Sequence, residues 1–340
     1  MNIPYRTRRV LKNIGIGVLA AALAGLLIWL CWFVWLERYV VYTRGQGAVL
    51  DFDRSPELSA GQPALPPEPS ETIPIYYNEG DNKLETGDEL KQLAGYYIEY
   101  EQLKDIDAVI GQLRQLPAGT AVLVDVKNIK GQFFYSSTLS AQRASAVDTQ
   151  AFDELISYLS RSNLYAIARL PAFRDYHYGL NNVPHGLFHS SRQYLWMDAE
   201  GCYWLNPASE GTFSYLVQIT NELKNLGFDE VVYKDFCFPD TKSIYFDGDK
   251  AKALEETAKK LVASCAGSRF AVSFVAPSAS FALPEGRCRM YLQDVAAANL
   301  TSVAESTGLA DTAVNLVFLT EVHDTRFDIY SVLRPLSTAH

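Results

Sequence analysis

A chain of 340 residues, 48% hydrophobic and 20% charged, can build one large packed domain with an accessory segment, and is too apolar to be mostly disordered. Its net charge of −9 excludes nonspecific attraction to nucleic acid or other acidic polymers. Aromatic residues make up 12% of it, which suits stacking on sugar rings as well as ordinary core packing.

Arg6, Arg8, Arg9 and Lys12 make residues 1–12 a basic tail. From 13 to 36 there is no charged residue, and Leu, Ile, Ala, Val and Trp dominate. Roughly 20 apolar residues cross a bilayer as a helix, so 13–36 reads as a single transmembrane helix. Positive charge before it keeps the N-terminus cytoplasmic, and Trp29, Trp32, Trp35 and Tyr39 suit the far interface. A cleaved signal peptide is the competing reading, but the run is long for a signal core and no small-x-small site follows. Everything after Arg44 is therefore expected outside the cell membrane. Pro56, Pro63, Pro66, Pro67 and Pro69 make 43–74 a flexible, extended linker.

Past the linker, strand and helix patterns alternate over 90–336. Strands are expected at 95–100, 121–126, 165–173, 229–234, 269–276, 289–293, 314–321 and 327–332. Helices are expected at 103–116, 150–160, 210–225 and 250–264 and from 294, with a hairpin at 131–135 and a long excursion over 174–206. Gly227, just past the third helix, provides the left-handed stop that turns the chain into the next strand. Eight strands with helices between most of them predict an α/β fold, a (β/α)8 TIM-like barrel. An open doubly wound sheet is the alternative, and no Gly-rich phosphate turn supports it. No solenoid repeat interrupts the pattern.

Barrels of this kind work with side chains at the C-terminal strand tips. Asp125 follows an apolar run, Asp235 follows another, and Glu321 ends a third. Two such carboxyls, one acid and one base or nucleophile, are what glycosidic hydrolysis needs. Each could instead cap a helix or order a loop. Lys127 and Arg169 are candidates to orient a carboxylate or bind substrate. Tyr233, Lys234, Asp294 and Trp204 join them as substrate-binding candidates, with Tyr176 and Tyr178 as further stacking platforms. His177, His185 and His189 lack tight metal-ligand spacing, and Cys202, Cys237, Cys265 and Cys288 match no zinc pattern, so no metal or other cofactor is expected. No Gly-x-Ser-x-Gly elbow supports serine hydrolysis.

Several of these segments together resemble a glycoside-hydrolase-like family of barrel domains from bacterial envelope proteins, first described as a domain of unknown function. Ala121-Val-Leu-Val-Asp-Val-Lys127 resembles its "AVVIDVKD" strand, and Ile167-Ala-Arg169 its "IARIVVFKD" strand. Trp204-Leu-Asn-Pro207 resembles "WVNPYN", Leu226-Gly-Phe-Asp-Glu230 through Pro239 resembles "LGFDEIQFDYIRFP", and Tyr291-Leu-Gln-Asp294 a later "GQD". Order and spacing agree over about residues 95–320. The resemblance implies a TIM barrel acting on a polysaccharide or cell-wall glycan. One departure matters: aligned without gaps, the family's strand-tip Asp falls on Lys234 and its Arg on Cys237. Asp235 sits one place later, on the opposite face of a regular strand; a bulge would return it to the pocket. A noncatalytic glycan-binding or scaffold barrel is therefore the alternative function.

Overall fold

The computed structural model describes residues 40–43, 47–50, 89–276 and 281–338, together with Gly25, Leu26 and Trp29. The chain divides into two compact units, Met1–Asn78 and Glu79–His340. In the first, Val40–Thr43 pairs antiparallel with Gly47–Leu50, so the stretch expected as linker opens within a hairpin. The rest of that linker, the basic tail and the membrane span expected at 13–36 lie outside the described residues, apart from Gly25, Leu26 and Trp29, which are helical. Among the described residues no helix is long and apolar enough to cross a membrane.

Eight parallel strands close into a barrel in the second unit: β1 (Ala94–Tyr97), β2 (Ala121–Asp125), β3 (Tyr165–Pro171), β4 (Glu230–Lys234), β5 (Ala271–Val275), β6 (Met290–Gln293), β7 (Leu316–Leu319) and β8 (Ser331–Pro335). They are hydrogen-bonded in chain order, and β8 returns to β1 through Val332 opposite Ala94. In β2, β4 and β5 the first four residues are buried and only the last is half-buried, so each apolar run ends where the barrel mouth opens. Leu123, Ile167, Val232, Tyr291, Val317 and Leu333 fill the lumen. Residues of opposite parity, such as Val122, Val124, Val231 and Tyr233, face the surrounding helices, as the two-residue period of a strand requires.

Helices α1 (Ile106–Leu113), α2 (Thr149–Arg161), α3 (Tyr176–Asn181), α4 (Glu210–Asn225), α5 (Lys250–Cys265), α6 (Leu300–Ser306) and α7 (Thr312–Asn315) occupy the connections. In α2 the Asp148 carboxylate caps the amides of Gln150 and Ala151, and Phe152, Leu155, Ile156 and Leu159 form the buried stripe. The end of α4 is fixed by the Gly227 amide donating to Lys224 O and the Phe228 amide to Leu223 O, with Gly227 at φ 93°. A side chain there would also meet Ser160 Cβ at 2.6 Å, so only glycine fits.

The later half of the ring is thinner. Among the described residues no helix joins β5 to β6, and β7 reaches β8 through the short 3-10 turn Thr325–Phe327. At the closed end of the lumen, Glu230 and Arg289 form a fully buried ion pair. Tyr165 and Tyr291 donate hydroxyl hydrogen bonds to the two Glu230 oxygens, and Arg289 donates to Lys91 O at 2.8 Å. The lumen is thus plugged below the mouth by a satisfied polar cluster.

Candidate active site at the barrel mouth

The register sets Asp125, the last residue of β2, opposite Arg169 of β3. Both point inward. Arg169 Nε reaches Asp125 Oδ1 at 2.8 Å and Nη2 reaches Oδ2 at 3.0 Å, the two-pronged geometry that a planar guanidinium makes with a carboxylate. Lys234, the last residue of β4, brings Nζ to 3.5 Å from both oxygens. Burial alone would raise the pKa of Asp125. The Arg169 and Lys234 charges outweigh it, and the carboxyl stays ionised below the usual carboxylate range.

Asp235 follows directly and takes φ 54°, a left-handed conformation uncommon outside glycine. A regular strand would turn this side chain away after inward Lys234; the kink returns it to the mouth. Arg174 Nη1 lies 3.9 Å from Asp235 Oδ1. Here burial wins: it pushes the Asp235 carboxyl up, against the opposing pull of Arg174 and Lys234, while Glu200 and Asp125 add to the rise. Arg174 is itself held by Asp198 at 2.8 Å and Glu200 at 2.9 Å.

Tyr97 closes the mouth at the β1 tip. Its hydroxyl is pushed up to about 12 by burial, then by Glu321 and Glu99, with Asp294 adding less. Those three acids border the β1, β6 and β7 side of the opening. Glu321 and Asp294 are exposed, and Asp294, like Asp235, stands just past a strand in the left-handed region at φ 56°.

Three residues expected to bind substrate are placed elsewhere. Lys127 is fully buried and paired at 2.6 Å with Asp175, which also accepts from the Tyr215 hydroxyl at 2.9 Å and the Tyr178 amide at 2.8 Å. It stands two residues past Asp125, beyond the strand end, where the chain has turned away from the lumen. Tyr233 is likewise buried, because strand alternation sends it outward when Lys234 points in; its hydroxyl donates to Leu216 O of α4 at 3.0 Å. Trp204 is 8% exposed, with Nε1 donating to Asp198 and Arg174 lying over its ring. The proposed platforms Tyr176 and Tyr178 are engaged too, stacked on Tyr203 and Tyr215.

Arg174 and Tyr97 were not singled out from sequence. Tyr97 carried a usable signal, since it lies two residues after Gly95 on the inward period of β1. Arg174 did not, because its role depends on the distant Asp198 turn. The cysteines Cys202, Cys237, Cys265 and Cys288 are free thiols. Among the described residues no group of three His, Cys, Asp or Glu side chains is disposed to hold a metal ion.

Solved structures share the architecture. The family 36 α-galactosidase of Geobacillus stearothermophilus superposes in its stachyose complex with a TM-score of 0.51, at 10% identity, over 73% of this chain and 39% of that one. Its raffinose complex gives 0.50, at 10% identity, over 74% and 40%. This chain thus spans about two-fifths of those enzymes, and the likeness is one of fold. A hypothetical protein from Ruminiclostridium thermocellum matches at 21% identity with a TM-score of 0.44, over 53% of this chain and 96% of its own. No curated protein matches the chain. The sequence of residues 97–274, more than half the chain and every strand from the β1 tip through β5, fits the model of one family, and the chain belongs to it: the family described as "Putative glycosyl hydrolase domain".

Proposed function

We propose that this barrel is a glycoside hydrolase held on the outer side of the cell membrane by its N-terminal segment, acting on a polysaccharide or cell-wall glycan. One observation carries the reading. Two carboxyls at the β2 and β4 tips are driven apart in acidity, Asp125 downward and Asp235 upward. Glycosidic cleavage needs a carboxylic acid that still holds its proton to give to the departing oxygen, and a carboxylate beside the positive charge that develops on the sugar ring. Asp235 has the environment of the acid. Asp125 has that of the anion, and Arg169 fixes it in place. With both oxygens engaged by Arg169, Asp125 acts as a charge stabiliser and base, and Glu321 across the mouth is a third carboxylate within the same opening. The uncharged run from 13 to 36, preceded by four basic residues, supports the anchor and its orientation.

The test is reducing-end release from a panel of polysaccharides by the full chain, with Asp125→Asn and Asp235→Asn. Each variant is expected to lose at least about 100-fold in rate, the usual contribution of a positioned acid or base. Wild-type rates in both variants would remove the assignment. A second reading has its own support: Lys234 occupies the inward β4 tip and pairs with Asp125, where the resembling family carries Asp. Glycan binding by the wild type without any bond cleavage would favour that noncatalytic barrel.

A further inference from the structure

The 174–206 excursion, which belongs to the loop between β3 and α4, builds a second cavity of about 630 Å³, within the range of small-molecule sites. Its frame is backbone-bonded. Phe188–His189 pairs antiparallel with Ile244–Tyr245 from the β4–α5 loop, and the Trp196 amide donates to Leu187 O at 2.8 Å. The walls include His189, Tyr194, Trp196, Tyr203 and Ser243. Because it rises from the loops after β3 and β4, the cavity stands on the same end of the barrel as Asp125 and Asp235, yet shares no lining residue with that mouth.

Two features set it apart from ordinary packing. Of the nine exposed large apolar side chains among the described residues, four line it: Leu180, Val183, Tyr194 and Met197. Its aromatic walls are also stacked on neighbouring rings. Tyr194 stacks on His189 with centroids 4.8 Å apart, and Tyr203 on Tyr176 at 5.3 Å. Gly179 and Gly186 let the chain close on these walls, since a side chain at either would lie 2.8 Å from Tyr203 Cβ or 2.6 Å from Leu195 Cδ2. A ring already packed against a neighbouring ring has less freedom to lose on binding.

We propose that this cavity is a second carbohydrate-binding site, taking a neutral sugar unit of the glycan whose bond is cleaved at the mouth. The sugar class rests on the hydrolase reading above; the site itself rests on its walls. A pyranose offers one C–H face to an aromatic ring and a belt of hydroxyls to polar groups at the ring's edge. Tyr194, Trp196 and Tyr203 provide the faces. The hydroxyls of Ser243, Tyr194 and Tyr203 provide the edge, joined by His189, whose Nδ1 accepts from the Ser191 amide and leaves Nε2 as an N–H donor in the neutral ring. No Asp, Glu, Lys or Arg lines the cavity, which is why the unit it takes is uncharged.

The experiment titrates cello-oligosaccharides, chito-oligosaccharides and stachyose into the detergent-solubilised full chain, following Trp fluorescence and calorimetry, alongside Tyr194→Ala and Asp125→Asn. Tyr194 is 56% exposed, so its truncation leaves the core intact. Affinity for at least one series is expected to grow with chain length, to fall at least about tenfold in Tyr194→Ala, the loss of one good stacking contact, and to persist in Asp125→Asn. Length-dependent binding that Tyr194→Ala removes, with no bond cleavage by the wild type, upholds this site and removes the hydrolase reading. Cleavage whose length dependence is unaltered in Tyr194→Ala overturns this site and leaves the mouth assignment standing. Absence of saccharide binding in every series overturns it as well.

Discussion

Lys234 decides how the mouth behaves. Its ammonium adds a second cation to a carboxylate that Arg169 already holds by two hydrogen bonds, so Asp125 sits in an excess of positive charge. A depressed folded-state value means that Asp125 stabilises the fold above the ordinary carboxylate range, and that this contribution is lost as pH falls through the folded value. Lys234→Ala removes one of the two charges responsible. The carboxyl then titrates closer to its unfolded value, so the part of the acid-side fall in melting temperature that Asp125 contributes is smaller and is complete at higher pH than in the wild type. Thermal melts from pH 7 down to pH 2 measure this directly. Coincident acid limbs in wild type and variant would mean that Arg169 alone sets the ionisation. Asp235 moves the other way: its rise makes the protonated form persist to higher pH, so any activity that needs that proton declines as pH rises through its value.

At the scale of the element, the β4 tip shows what a strand pattern reveals and what it hides. The apolar run Val231–Tyr233, the Gly227 stop and the polar tip were all legible, because burial and the helix cap are local properties. The direction of Asp235 was not, because it depends on a left-handed residue that no propensity demands. Lys127 misled for a related reason: a lysine two residues past an inward aspartate suggests the same face, and the chain leaves the strand before it. The last strand slipped as well. Phe327 anchors a 3-10 turn instead of opening β8, which starts at Ser331, since aromatic and β-branched residues suit either setting. Glu230, which begins β4, went unnoticed because its partners arrive from β3 and β6. Its pairing with Arg289 is 0% and 1% exposed on the two sides, with both oxygens satisfied. Arg289→Met should therefore leave a buried carboxylate without its cation and cost about 3–5 kcal/mol in urea unfolding, while glycan binding at the folded mouth stays unaltered. A cost near zero would show that Tyr165 and Tyr291 alone satisfy Glu230, or that it takes up a proton.

On the scale of the whole molecule, the proposed anchor and the candidate site fall in different units. Every carboxylate and cation of the mouth, the plug below it and the aromatic cavity beside it belong to the unit Glu79–His340, whose core includes all eight strands. The basic and apolar stretches of the sequence belong to Met1–Asn78. A domain whose core closes on itself, as β8 does on β1, does not need the earlier residues to bury its edges. Two outcomes are expected on removing residues 1–78. The fragment Glu79–His340 should leave the membrane fraction for the soluble one, while the full chain pellets with membranes and withstands a high-salt wash, as a spanning helix does and a charge-held surface contact does not. The fragment should also unfold in one cooperative step at the same urea midpoint as the barrel of the full chain, and keep the same saccharide affinities. Fractionation, urea titration and calorimetry on the two lengths check this together. A fragment that still pellets would move the membrane contact onto the barrel itself, where Leu180, Val183, Tyr194 and Met197 are exposed apolar side chains around one cavity; a fragment that loses its cooperative transition would show that the barrel depends on the first unit for its stability.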